Sequence, residues 1–330
     1  MSVVPDACRP SYVYPVGFVT RLSADGSSLT ETQLAFGLTP STSARTPPQT
    51  LGLVGLVALD GQGKAAAQIG GALATLDLYA APASLVCITD AADFAPLNSV
   101  APEQLLSLFG EGIGPVGPVQ AQLQDGLIPV SLGFTDISVM FNGVPAPLLY
   151  ASSGQVNVQV PYEVADLASV TMKFQYRTTT STVVFSVVPS QPSTFVQSAS
   201  YATCNGQIRE SLLPVASNAD GSLSDCVNKA QRGTFVNLFL NGLGLAGGHP
   251  LTGAISTTSD TPPILAVVAL NPLNSGFSTE PVPVTAVVGR INSVWQAKIA
   301  IPLTSPGPSL QLALTVNGVA VRDSLVVWLQ

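Results

Sequence analysis

"GQVNVQVP", residues 154–161, places valines at every second position, sets Asn and Gln between them, and stops on a proline. Side chains of an extended chain point alternately to opposite faces. The stretch therefore reads as a strand with one apolar face and one polar face, ended by a residue that cannot donate to a sheet ladder. A similar string, "QAKIAIP", occupies 296–302, at an offset of 141 residues (302 less 161). Working outward, "LLSLFGEGIGP" at 105–115 matches "FVNLFLNGLGL" at 235–245, at an offset of 130 (239 less 109). "VTMKFQYRTTTSTVVFSVV" matches "LALTVNGVAVRDSLVVWLQ" at about the larger offset. The chain thus carries a duplication. The difference between the offsets places extra residues in the second copy, and the polar stretch "GGHPLTGAISTTSDTPP" at 247–263 is the expected location.

Helical periodicity is nearly absent. "AAAQIGGALATL" at 65–76 is alanine-rich but interrupted by Gly70 and Gly71. Elsewhere short β-branched or aromatic runs alternate with Gly, Pro, Asn and Asp, and "FNGV" and "VNGV" carry the Asn-Gly hairpin signal. The expected fold is all-β: two tandem immunoglobulin-like β-sandwiches preceded by an N-terminal β-rich segment. Each repeat, about 100 residues with six or seven short strands, has the size and rhythm of that sandwich. The expected boundaries are 1–84 for the N-terminal segment, 85–190 for the first sandwich and 191–330 for the second. "VPSQPSTF" at 188–195 is the joint, stiffened by two prolines.

Composition narrows the function. Of 330 residues 9% are charged and 46% hydrophobic, with 29 Gly and 27 Pro. An average globular protein is roughly 25% charged. High hydrophobicity argues for a folded chain rich in turns. Twelve Lys and Arg against nineteen Asp and Glu give a net charge of −7, with no basic cluster. Such a chain is a poor partner for phosphate backbones, so no nucleic-acid partner is expected. No apolar run reaches the roughly 18–20 residues of a membrane span. Residues 1–20 lack a basic start followed by an apolar stretch, so they do not read as a signal peptide.

The four cysteines, Cys8, Cys87, Cys204 and Cys226, form no CxxC pair and have one histidine for company. They suit two disulfides, Cys204 with Cys226 across a turn-rich loop and Cys8 with Cys87. Closing the first loop would stabilise by about 3 kcal/mol in the chain-entropy account. The alternative is four buried thiols. Bridges would mean an oxidising compartment.

No catalytic, cofactor or metal site emerges. "GIGPVG" (112–117) and "GLGLAG" (242–247) satisfy G-x-G-x-x-G, yet prolines and turns follow where a dinucleotide fold needs a helix. They read as glycine-rich turns. His249 stands in the polar insertion and reads as a loop residue. There is no G-x-S-x-G elbow. "NADGSLSD" (218–225) has oxygen-bearing residues at alternate positions but lacks the closing Glu of an EF-hand loop, so an Asp-Gly turn is the simpler reading. Trp295 and Trp328 read as core residues, or, if exposed, as platforms for stacking on sugar rings. Phe109 and Phe239 hold matching repeat positions and are expected in the core.

Three stretches carry a resemblance. "CITDAADFAPLNSVAPEQLLSLFGEGIGP", "FNGVPAPLLYASSGQVNVQVPYEV" and "NKAQRGTFVNLFLNGLGL" resemble, in that order, the uncharacterised C-terminal module of large secreted acidobacterial proteins. That module is a relative of the IPT/TIG immunoglobulin-like domains. The resemblance covers roughly residues 85–330, and the second copy departs from it by lacking the "GVPAPLLY" hairpin. "GFVTRLSADGSSLTETQLAFG" (17–37) resembles a strand pair of a bacterial β-propeller repeat, and "GLVGLVALDGQGKAAAQIGG" (52–71) a degenerate second one. The resemblance implies an extracellular β-module without enzymatic activity and brings over no catalytic residue. The expected function is a structural or assembly protein at the cell surface or in a filament, self-associating as a homo-oligomer or homopolymer through low-charge faces and open sheet edges. The alternative is an adhesin or carbohydrate-binding module that meets cell-surface glycans.

Overall fold

The computed structural model describes residues 2–6, 9–22, 29–34, 55–59, 64–69, 72–77 and 84–90. From 91 to 330 it describes all but 134, 201–209, 246–250, 257–263, 271–279, 288–289, 292, 305–306, 317 and 323–324. Every described element is a strand except one 3-10 turn, Tyr162–Val164. The fold is all-β.

Six strands come first. β1 (Ser2–Asp6), β2 (Arg9–Leu22) and β3 (Leu29–Leu34) form one three-stranded antiparallel sheet. β4 (Gly55–Leu59), β5 (Lys64–Ile69) and β6 (Ala72–Asp77) form another. The alanine-rich run therefore lies in strands, with Ile69 opposite Ala72 on either side of the two glycines.

The first unit runs from β7 (Ser84–Asp90) through β8 (Ser99–Val100), β9 (Leu105–Glu111), β10 (Val119–Gln120), β11 (Ile137–Phe141), β12 (Val144–Pro145), β13 (Leu148–Ala151), β14 (Gln155–Gln159) and β15 (Ser169–Tyr176) to β16 (Thr179–Val187). Its two five-stranded sheets are ordered β10-β13-β14-β9-β7 and β12-β11-β15-β16-β8. One sheet contributes Leu106, Leu108, Leu148, Val156 and Val158 to the core, and the other Val139, Phe141, Met172, Phe174 and Phe185. Period-two patterning produces this. Along β15, Val170, Met172, Phe174 and Tyr176 point inward, while Ser169, Thr171 and Lys173 are exposed. The Asn-Gly signal is met as well: Phe141 pairs with Val144, and Asn142 and Gly143 have φ of 48° and 87°. Two consecutive left-handed residues are what a type I′ turn demands.

The second unit comprises β17 (Ser193–Thr194), a hairpin of β18 (Val196–Ser200) and β19 (Glu210–Pro214), then β20 (Ala216–Asn218), β21 (Phe235–Asn241), β22 (Ile264–Leu270), β23 (Glu280–Ala286), β24 (Trp295–Ala300), β25 (Ser309–Val316), β26 (Val319–Ala320) and β27 (Leu325–Trp328). Apart from the β18–β19 hairpin these form one nine-stranded sheet with the path β17-β21-β24-β23-β22-β25-β26; β20 adds to β21 and β27 to β25. The sheet folds over its own core, where Val236, Leu238 and Leu240 of β21 share a cluster with Leu310, Leu312 and Val327.

The strand register recurs at the offsets read from the sequence. Gln155 faces Phe109 and Gln159 faces Leu105 in the first unit; Gln296 faces Phe239 and Ala300 faces Phe235 in the second. Those are the same pairs displaced by 141 residues on one strand (296 less 155) and 130 on the other (239 less 109). Likewise Ile137 faces Tyr176 where Ala266 faces Val316. β22 thus follows β11 by only 129 residues (266 less 137), so the offset jumps after β22 and before β24. This corrects the expectation that the extra residues fill 247–263; they fall within 271–294. There the chain builds the full-length β23 in place of the short β12 and β13. Because β23 pairs with both β22 and β24, it joins the two sheets that stay separate in the first unit. The second copy is therefore a single wrapped sheet and departs from the two-sheet sandwich expected of it. A second departure lies at the other margin: the edge position that β7 fills next to β9 is shared by β17 and β20 next to β21, and the β18–β19 hairpin interrupts it.

Candidate functional site: a buried polar seam between the units

The outer face of the sheet β14-β9-β7 should be wet by the alternation of its sequence. Gln159 and Ser107 point away from the core, yet both are buried. Polar groups buried this way must find partners or cost stability. Ser107 Oγ finds one within its own unit, donating to Asn157 Oδ1 at 3.1 Å, whereas Gln159 finds its partners in the second unit.

Asp90, at the end of β7, is fully buried. Its Oδ1 accepts hydrogen bonds from the Ala92 N–H at 2.7 Å, from Ser193 Oγ at 2.8 Å and from Asn241 Nδ2 at 3.2 Å. Its Oδ2 accepts from Gln104 Nε2 at 2.7 Å and stands 3.2 Å from Arg322 Nη2. Ser193, Asn241 and Arg322 belong to the second unit. Arg322 also grips Asp93, with Nε 2.7 Å from Oδ2 and Nη2 3.1 Å from Oδ1. Asn241 repeats a sheet ladder with its side chain: Oδ1 accepts from Leu105 N–H at 2.9 Å and Nδ2 donates to Leu105 C=O at 3.0 Å. The G-x-G glycines of "GLGLAG" serve this contact. Gly242 and Gly244 have φ of 71° and 76°, and a Cβ on either would collide with the carbonyl of Gln191 or Pro189 in the joint. The joint itself is pinned by Gln191 N–H donating to Gly242 C=O at 2.7 Å.

A second node lies at the C-terminal end of β14, where Gln159 faces Leu105. Gln159 Nε2 donates to Ser293 Oγ at 2.6 Å, and Gln159 Oε1 accepts from Gly253 N–H at 2.9 Å. Ile128 N–H donates to Gly253 C=O at 2.8 Å, and Leu127 bridges Ala254. The described part of the expected polar loop, 251–256, is thus docked onto the first unit. Beside it, Thr252 Oγ1 accepts from Tyr162 N–H at 3.2 Å and donates to Glu163 Oε2 at 2.7 Å. Glu103 completes the node. It is 3% exposed, its φ is 61°, and its Oε1 has no hydrogen-bond partner. Burial, reinforced by the charge of Glu163, pushes its carboxyl up to about 7.

Several expectations change. Trp295 is 3% exposed and lies in the core of the second unit, so it offers no face to a sugar; Trp328 is half-buried. Phe109 and Phe239 point away from the core leucines of their strands. Phe109 is buried with its ring 6.3 Å from Phe94, and Phe239 is half-buried. In "NADGSLSD", Asp220 Oδ1 accepts from Ser222 N–H at 2.9 Å and Oγ at 2.6 Å, and these bonds lower its pKa. Asp225 Oδ1 accepts from the N–H groups of Val227 and Asn228. Both are turn carboxylates tied to their own backbone. Among the described residues no group of three or more His, Cys, Asp or Glu could hold a metal ion. Cys87 and Cys226 are each disulfide-bonded, while Cys8, Cys204 and His249 lie outside the described residues. The residues that matter at the seam went unread in sequence. Their one legible sign is a lone polar residue closing an apolar strand, as in "CITD" for Asp90 and "LFLN" for Asn241.

No protein-family model and no curated protein matches the chain. Among solved structures, it is similar to titin Ig tandem domains A164-A165 at 9% identity and a TM-score of 0.20, covering 70% of this chain and 90% of that one. Domains 5-6 of the S-layer protein SbsC align at 14% identity and a TM-score of 0.22, covering 75% and 98%. The full extracellular region of plexin A4 aligns at 10% identity and a TM-score of 0.24, covering 78% of this chain and 17% of that one. Alignments this loose carry no argument, and the fold rests on the strand pairing above.

Two outcomes test the seam. Asp90→Asn keeps the shape but puts an amide where a carboxylate accepts from Ala92 N–H, Ser193, Asn241 and Gln104 and pairs with Arg322. Losing one member of a buried charged network costs about 3–5 kcal/mol, which urea unfolding should register. Glu103 has the opposite sign. Its folded pKa of about 7 exceeds its ordinary value of 4.5, so its favourable contribution is complete below the ordinary value and is lost as pH rises through 7. With metals chelated, Glu103→Gln should stabilise the protein by up to about 3 kcal/mol above pH 7 and change little below pH 4.5. Equal effects at both ends of that range would refute the assignment.

Proposed function

We propose that this chain is a non-enzymatic extracellular structural protein, a surface or filament component whose two β-units act as one stiff body. The observation that carries the reading is the seam. Two units joined only by a linker would swivel, whereas burying Asp90 against groups of both units makes opening cost an unmet charge. Stiffness across a joint is useful in a spacer or lattice element. Disulfide-bonded Cys87 and Cys226 support an oxidising compartment. We assign the bridges as Cys8–Cys87 and Cys204–Cys226, the pairing that closes the shorter loops.

Self-association would run through faces. Val116 is 94% exposed, Leu123 55% and Leu251 65%, on loops that carry little charge. Edges contribute less than the sequence implies, because β8, β10, β12, β17 and β26 are only two residues long and short edges are poor templates for an added strand. The longer edges are β7 of the first unit, seven residues long, and the outer strands of the three-stranded sheets of β1–β3 and β4–β6. No helix among the described residues is long and apolar enough to cross a membrane.

Electron microscopy and light scattering of the full chain at rising concentration should show ordered assemblies or discrete oligomers. A sample that stays monomeric at high concentration would remove the assembly role. In a non-reducing peptide map, the two assigned bridges should appear as linked peptides; any other pairing overturns the assignment.

A further inference from the structure

β16 has a neighbour on each side, yet it is an edge for most of its length. On one side it pairs with β15 throughout, from Ser169 opposite Ser186 to Tyr176 opposite Thr179, with no shift of register. On the other side β8 meets it only at Ser186 and Val187. Ser186 N–H donates to Asn98 C=O at 3.3 Å and Val188 N–H to Val100 C=O at 3.0 Å, so the even-numbered residues turn their backbone groups to that side. The alternation of a strand carries the same direction to Thr180, Thr182 and Val184. Among the described residues nothing pairs with them there, by ladder, bridge or backbone hydrogen bond. β7, the other long margin of this unit, differs: the turn that follows it lies against its end, where Leu97 N–H donates to Ile88 C=O at 3.2 Å.

The devices that guard an open edge are missing from this one. "TTSTVVF" (179–185) holds no charge, no proline and no bulge, and it is rich in β-branched residues. Thr180, Thr182 and Val184 are exposed, Val184 at 68%. We propose that two copies of this chain pair here, β16 against β16, antiparallel about a two-fold axis at Thr182. The pairing rests on the self-association proposed above and gives it a surface. Thr182 is the midpoint of the open run, so every residue finds a partner: Thr180 faces the partner's Val184, Ser181 the partner's Val183 and Thr179 the partner's Phe185. β8 at one end and the turn at Arg177 and Thr178 at the other bound the contact. A two-fold makes one patch serve both sides, and an uncharged strand meets no like charge in its own copy. The charge in line with the axis is Lys173, opposite Thr182 on β15. Three strand spacings, about 14 Å, separate it from its mate, beyond the screening length of about 10 Å at 0.1 M salt. Pairing uses up the edge, so the product is a closed dimer, and larger assemblies are built from such dimers through the apolar faces.

The test follows the full chain by sedimentation velocity and amide hydrogen exchange at rising concentration. The wild type should form a dimer, and exchange at Thr180, Thr182 and Val184 should slow as the dimer fraction grows. Thr182→Pro removes an N–H that no ladder inside the unit uses, so the fold stands while the dimer weakens at least about tenfold. Val184→Lys puts a charge on the edge and should weaken the dimer as well. Thr171→Lys sets the same charge on the same face one strand inward, opposite Val184, and should leave the dimer unchanged. A wild type that stays monomeric overturns the pairing together with the assembly role. A wild type that associates, with both edge variants associating equally well, overturns the pairing alone. So does slow exchange at these amides in the monomer, which places another segment of the same chain on the edge.

Discussion

A carboxylate removed from water loses a hydration free energy that only opposite charge and several hydrogen bonds can replace. Asp90 meets that demand with groups drawn from two halves of the chain. Gln104 and a local N–H come from its own unit, while Ser193, Asn241 and Arg322 reach it from the other. Neither half satisfies the charge alone. The packing of the units, the close approach of the joint to Gly242 and Gly244, and the burial of the polar face of β9 and β14 all depend on this shared ion. The second node, built on Gln159, lies at the same end of the sheet, since Gln159 faces the Leu105 that Asn241 grips, and it extends the contact across the strands.

Much of the architecture was legible because period-two patterning and turn chemistry act locally. "GQVNVQVP" became β14 with its valines inward, "FNGV" became a tight hairpin, and two quoted offsets recur in the strand register down to individual pairs. Local rules failed where the outcome is set by what lies across space. Alternation placed Gln159 on a wet face, and nothing near it in sequence tells that another unit lies over that face. The extra residues were assigned to 247–263 on polarity, yet register places them in 271–294. Phe109 and Phe239 occupy matching positions as expected, on the face away from the core leucines.

The candidate site was harder to read than the fold, for the same reason. Asp90, Glu103, Asn241 and Ser293 are ordinary residues in sequence, and each acquires its character from partners more than ten residues away. The glycine-rich motif shows the difference. As a phosphate-binding signature it fails for want of a helix. As a pair of left-handed residues that lets the joint approach, it has a definite role that only the three-dimensional arrangement reveals.

The continuous wrap of the second sheet bears on how such units could be multiplied. Two separate layers present four margins to solvent, each needing a bulge, a charge or a truncated strand against accretion. Letting β22 run alongside β23 abolishes two of those margins at once. In a concatenated array, a unit closed in this way offers fewer margins to an added strand than an open one.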